Sequence, residues 1–180
     1  STVTIGGAVS IAGALSVGGA TNLLGTVTAT GNSGFLGTVR VSGATSLEAA
    51  LNVTGAALFS STVTVVGAGT FKSNISVSGT TKLLGTVTAT GNTGFLGTVR
   101  VAGATSLEGA LNTTGAALFS STVTVVGAGT FKSNVSVSGT TKLLGTVTAT
   151  GNAGFLGTVR VSGATSLEAA LNVTGAALFS

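Results

Sequence analysis

Val87 and Ala89 flank Thr88, and Val99 and Val101 flank Arg100, so apolar side chains alternate with polar ones at a spacing of two. That is strand periodicity; a helix would space them by three and four. The alternation is organised into a twelve-residue coil that is clearest over residues 86–97. With Thr86 as position 1, position 2 is a branched apolar residue, position 4 is usually Val and position 6 is Gly. Position 10 is Leu, Ile or Phe, and position 12 is Gly, Ala or Ser. Laid out from Thr2, fifteen such coils follow without insertion or deletion, and all eight Phe fall on position 10. Val, Ile and Thr dominate the alternating positions, as strands favour. Gly at position 6 is expected to make the turn by reaching positive φ. Helix is opposed by the frequent Gly and the β-branched runs. The stretch 45–51, with Leu47, Glu48, Ala49 and Ala50, stays in the twelve-residue register and reads as strand.

One coil cannot fold alone, because ordering twelve backbone residues outweighs burial of its three large apolar side chains. Stability must come from stacking coils, the logic of a quasi-one-dimensional repeat fold. Two arrangements fit. In one, a single chain winds as a flat, two-sided β-solenoid. Positions 6 and 12 are then its corners, positions 2 and 4 face inward from one side and positions 8 and 10 from the other. In the other, three chains intertwine around a shared core. A lone solenoid would expose Leu24, Leu36, Leu58, Val66, Leu84, Leu96 and Leu118 with little charge around them. Contiguous apolar stripes usually mean that another chain covers them. The surface therefore favours the intertwined homotrimer, and Phe95 is the residue that separates the two.

A longer period lies above the coil. Residues 1–60, 61–120 and 121–180 are three sixty-residue copies of five coils each, forming a single array with no separate globular domain. The second and third copies differ at five places: Ile75/Val135, Thr93/Ala153, Ala102/Ser162, Gly109/Ala169 and Thr113/Val173. The first two coils of the first copy have drifted, with Val9 and Ile11 where the second copy has Gly69 and Phe71.

Runs such as 85–91 and 101–107 look like the shaft repeats of viral and bacteriophage tail-fibre proteins. The adenovirus-type triple β-spiral is similar in placing alternating apolar residues before an obligatory turn Gly. The repeat here is shorter and has no Pro at the turn. The resemblance implies trimerisation, a mechanical role and a place on a virion or outside a cell.

Composition removes most chemistry. Charged residues are 6% of the chain, and Pro, Cys, Met, Trp, Tyr, His and Asp are absent. Without Cys, His or Asp, a hydrolase triad and a conventional metal site are both excluded. The only acids, Glu48, Glu108 and Glu168, recur once per sixty residues and read as solvated charges near Arg40, Arg100 and Arg160 or near Lys72 and Lys132. Gly-rich runs such as 31–34 lack a phosphate-loop Lys-Ser/Thr. The net charge of +4 comes from seven scattered basic residues, unlike the clustered stripes of nucleic-acid binders. No apolar run approaches the roughly 18 residues of a membrane helix. The expectation is no catalytic residue, no metal, no cofactor, no nucleic-acid partner and no membrane insertion. Asn52, Asn74, Asn112, Asn134 and Asn172 each head an N-x-Ser/Thr sequon at an outward position, which a Ser/Thr-rich repeat creates freely. The Thr-x-Thr pairs are similar to ice-binding solenoids, but Arg100 interrupts their ranks. Ser1 opens in mid-pattern without a basic leader, which suggests a processed chain or a window from a longer array. The function expected is a stiff fibre shaft that self-associates, is anchored to a virion or cell surface and presents a distal tip. A single-chain ice- or surface-binding solenoid is the alternative.

Overall fold

A computed structural model describes residues 2–180 as thirty short parallel strands and no helix. Ser1, with which the array is expected to open, lies outside the described residues. Strands are numbered β1 to β30 in chain order. β1 (Thr2–Ile5), β2 (Val9–Ile11) and β3 (Leu15–Val17) form the first turn, or rung, of a three-sided solenoid. β28 (Thr165–Leu167), β29 (Leu171–Val173) and β30 (Ala177–Phe179) form the tenth. Every third strand joins the same sheet, giving three faces of ten parallel strands. The face from β1 to β28 is called A, that from β2 to β29 is B, and that from β3 to β30 is C.

The winding unit is eighteen residues, not twelve. Thr70 pairs with Thr88, and Thr88 with Ser106, in steps of eighteen throughout. The strand-and-turn module is six residues, so half a coil makes one side and three halves close the turn. The inward assignment holds: Val87, Ala89, Phe95, Val99 and Val101 are all buried. The corner assignment of positions 6 and 12 also holds, and 45–51 contains strand at Thr45–Leu47 followed by a turn. Ten rungs at about 4.8 Å give a rod of roughly 48 Å, shorter than fifteen coils would have made it.

The twelve-residue period has its own meaning in this winding. Eighteen is twelve plus six, so along any face position 10 stacks on position 4. Face A reads Phe59, Val77, Phe95, Thr113, Phe131, Ala149 in successive rungs. Large and small inward side chains thus alternate, which lets each ring settle over a smaller neighbour. A twelve-residue winding would have stacked Phe59 directly on Phe71.

The corners follow the same rule. No described residue has positive φ, so glycine is not used there for left-handed backbone, contrary to the expectation from sequence. Its use is close approach. A Cβ on Gly67 would lie 2.5 Å from the carbonyl carbon of Ala49 in the rung below, and one on Gly79 would lie 2.5 Å from that of Ser61. Position 6, always Gly, alternates along each edge with position 12. Ala49, Ser61 and Ser73 therefore have Gly directly below (Gly31, Gly43, Gly55) and above (Gly67, Gly79, Gly91). In a twelve-residue winding those three Cβ atoms would have stacked on one corner.

The drifted first copy redistributes size between two inward positions of one strand. In the second copy the ring of Phe71 leans over Gly69, whose Cβ would sit 3.1 Å from Phe71 Cε2. In the first copy Val9 and Ile11 occupy the two positions. A smaller residue at one site accompanies a larger one at the other, so the pair fills one space.

Phe95 is 4% exposed within a single chain, so it meets its own chain and no sister chain is needed to cover it. The interior is not wholly apolar. The hydroxyls of Thr21, Ser33, Thr45, Thr81, Thr93, Thr105, Thr113 and Thr141 are buried without a hydrogen-bond partner. Each such orphan costs on the order of 1–3 kcal/mol.

Candidate functional site

The residues able to do chemistry stand on the outside of the rod, and the winding disperses them. Sixty residues are ten half-coils, or three turns and one further side. Each sixty-residue copy is therefore rotated by one face against the last. Arg40 is on face A, Arg100 on face B and Arg160 on face C. Successive copies are related by a rotation of about 120° and a rise of roughly 16 Å, from rungs of about 4.8 Å.

The three acids do not converge. Glu48 and Glu108 follow strands of different faces, β8 (Thr45–Leu47) and β18 (Thr105–Leu107), and stand on different corners. Thr90 stands between Lys72 and Glu108 on one corner, because Phe71, Ala89 and Leu107, which precede them, are successive register partners. Acid and base are then two rungs apart, roughly 10 Å along the stack. The arginines sit elsewhere: Arg100 is in register with Lys82 on face B, and Arg160 with Lys142 on face C. Such like-charge neighbours are mildly destabilising. Among the described residues no group of three or more His, Cys, Asp or Glu could hold a metal.

The outward rows carry hydroxyls in short ranks. Face C shows Asn52, Thr70, Thr88, Ser106 and Thr124 in consecutive rungs, followed by Lys142 and Arg160. The paired Thr86 and Thr88 do not share a flat plane, since Thr86 lies in the turn and Thr88 on the strand. A shallow hollow opens where Gly94 leaves face A bare, lined by Ser76, Leu96, Asn112, Thr114 and Lys132. One copy earlier Asn52, Thr54 and Lys72 line its counterpart. Neither is lined by an acid; beside the lysine, the first offers the hydroxyls of Ser76 and Thr114 and the second those of Thr54 and Thr70.

The sequon asparagines divide into two groups. Asn52 and Asn112 stand exposed at the centre of face strands. Asn74 and Asn134 stand at corners, where their side-chain carbonyls accept the amides of Asn92 and Asn152 one rung on, both at 3.0 Å. Asn92 repeats the bond to Ala110, also at 3.0 Å. These ladders satisfy turn amides that the sheets leave free. That structural use of Asn was missed in the sequence, although the spacing of eighteen from Asn74 to Asn92 was visible there. Asn172 is exposed in the last rung.

Of the apolar residues expected outside, Leu24, Leu36, Val66, Leu84 and Leu96 are exposed, Leu36 by 68%. Leu58 and Leu118 are half-buried on their faces. A further hollow, lined almost wholly by apolar side chains, lies at the last rung between Phe155, Leu167, Leu171 and Phe179. No helix among the described residues is long and apolar enough to cross a membrane. No protein-family model, curated protein or solved structure matches this chain.

Proposed function

We propose that this chain is the shaft of an extracellular or virion fibre, a stiff rod with a mechanical rather than a catalytic task. The screw relation between the sixty-residue copies carries the reading. A protein that grips a surface or a crystal face gains from keeping its contact residues on one side. Here each copy turns its Arg, Lys and Leu to a new side, so the rod is nearly the same from three directions. An axial support needs that property, and a flat ice-binding plane is incompatible with it. The likeness of the repeats to tail-fibre shafts points the same way, as does the lack of any convergent set of titratable groups.

In this reading the rod is anchored to a virion or cell surface and presents a tip. It self-associates as a homotrimer, with exposed apolar corner residues such as Val66 and Leu84, which follow each other in consecutive rungs, packed between rods; burying exposed apolar surface is the usual reason for its presence. Small-angle scattering and electron microscopy of the purified chain test the rod: a round particle would refute it. Light scattering tests the assembly separately, since a concentration-independent monomer mass would refute the trimer and leave the rod standing. A thermal-hysteresis signal would revive the ice-binding alternative.

A further inference from the structure

At the centre of a strand, glycine weakens the sheet and packs against nothing. Among the described strands only Gly34, Gly94 and Gly154 put glycine at the outward centre. The reasons that hold for other glycines fail at these three. Corner glycines such as Gly67 and Gly79 lie against the backbone of the rung below, and Gly69 and Gly129 make room for the rings of Phe71 and Phe131. A Cβ on Gly94 would meet only the Ile75 carbonyl at 3.9 Å, and one on Gly34 only that of Leu15, also at 3.9 Å. No described residue has positive φ. The missing side chain instead creates space. Ser76 and Asn112 are the register partners of Gly94 below and above, and they stand two rungs, roughly 10 Å, apart. Leu96, Thr114 and Lys132 line the corner side, and the hollow so enclosed measures about 250 Å³.

We propose that this hollow binds one acidic sugar ring, a hexuronate unit of a glycan. Ser76, Thr114 and Asn112 supply two hydroxyls and a carboxamide, groups that both donate and accept, as ring hydroxyls require. Asn112 is free for that use: the side-chain carbonyls of Asn74 and Asn92 are taken by turn amides, and that of Asn112 accepts nothing from the described residues. The Lys132 ammonium offers three donors to a carboxylate, and Leu96, 60% exposed, offers an apolar wall to the C–H face of a ring. No acid lines the hollow to repel an anion; Glu108 stands at the opposite corner of face A. The walls present no exposed aromatic ring on which a base would stack, which disfavours a nucleotide. The volume falls below the roughly 300–1,000 Å³ of pockets for larger ligands, so it suits a single ring. Ser16, Gly34, Leu36, Asn52, Thr54 and Lys72 repeat the six residues one copy earlier, around face C. Two such hollows on different faces suit a flexible glycan that reaches round the rod, and they do not form the flat plane that a crystal surface needs. The site does not depend on the rod being a shaft.

Saturation-transfer NMR with methyl glucuronide as the probe tests the site, with methyl glucoside as the uncharged control. A single ring in so open a hollow is expected to bind in about the millimolar range. Gly34→Thr, Gly94→Thr and Gly154→Thr combined in one chain fill the hollows with a side chain that strands favour. That variant should melt no lower than the parent and lose the glucuronide signal. Lys72→Gln with Lys132→Gln, both exposed, should weaken glucuronide binding about tenfold, the loss of one charge-assisted hydrogen bond, and leave the glucoside unchanged. Absence of glucuronide binding to the parent chain, or undiminished binding in the filled variant, overturns the proposal. Equal binding of the two sugars, or no loss in the lysine variant, overturns the acidic-sugar assignment. Small-angle scattering on the same samples reads the shaft separately, so a rod that binds no sugar refutes the site and spares the shaft.

Discussion

At a corner, one methyl group separates tolerance from disruption. Gly91 lies over Ser73, and a Cβ there would enter the backbone of that rung. Gly91→Ala is expected to cost on the order of 1–3 kcal/mol in a denaturant titration, the range of an overpacked interior. Gly94→Ala, whose added Cβ meets nothing closer than the Ile75 carbonyl at 3.9 Å, should stay within about 0.5 kcal/mol. Equal effects would remove close approach as the reason for glycine. The buried hydroxyls make the opposite case. Thr113 stands where the other copies carry Val53 and Val173, and its hydroxyl has no partner. Thr113→Val should raise stability by about 1–2 kcal/mol by removing that orphan. A loss of stability would show that the hydroxyl is satisfied in solution.

The element that matters is the six-residue side, and its two inward residues act as a pair. Gly69→Val alone crowds the ring of Phe71; Phe71→Ile alone leaves space. Together they recreate the Val9 and Ile11 of the first copy. The double variant should be more stable than the sum of the singles by about 0.5–3 kcal/mol, as coupled neighbours show. Additivity would mean the two residues fill separate spaces. Much at this scale was legible in the sequence. The period of two marked the strands, and the phase of Val87, Ala89 and Phe95 named the inward set. The number of sides was not legible from that alternation, since two or three identical sides place the same residues inward. The signal that decides it was present in other residues. Ala49, Ser61 and Ser73, twelve apart, stack on one corner in a twelve-residue winding and separate onto three corners in an eighteen-residue one. Phe59 and Phe71 are separated likewise. The corner glycines were placed correctly for the wrong reason, because sequence shows which residue turns the chain and not what passes next to it.

On the scale of the molecule, the sixty-residue copies and the eighteen-residue rung are out of step by one side. That mismatch turns the outward residues of each successive copy to a different face, as Arg40, Arg100 and Arg160 show. The central claim beneath all of this is the eighteen-residue rung, and intramolecular disulfide formation measures it directly. Thr70→Cys with Thr88→Cys, adjacent on face C, should close a disulfide in the dilute, monomeric rod, at a spacing of about 4.8 Å. Thr88→Cys with Arg100→Cys, twelve residues apart and on different faces, should remain reduced under the same conditions. Closure of the second pair and not the first would contradict the three-sided winding and restore the twelve-residue coil.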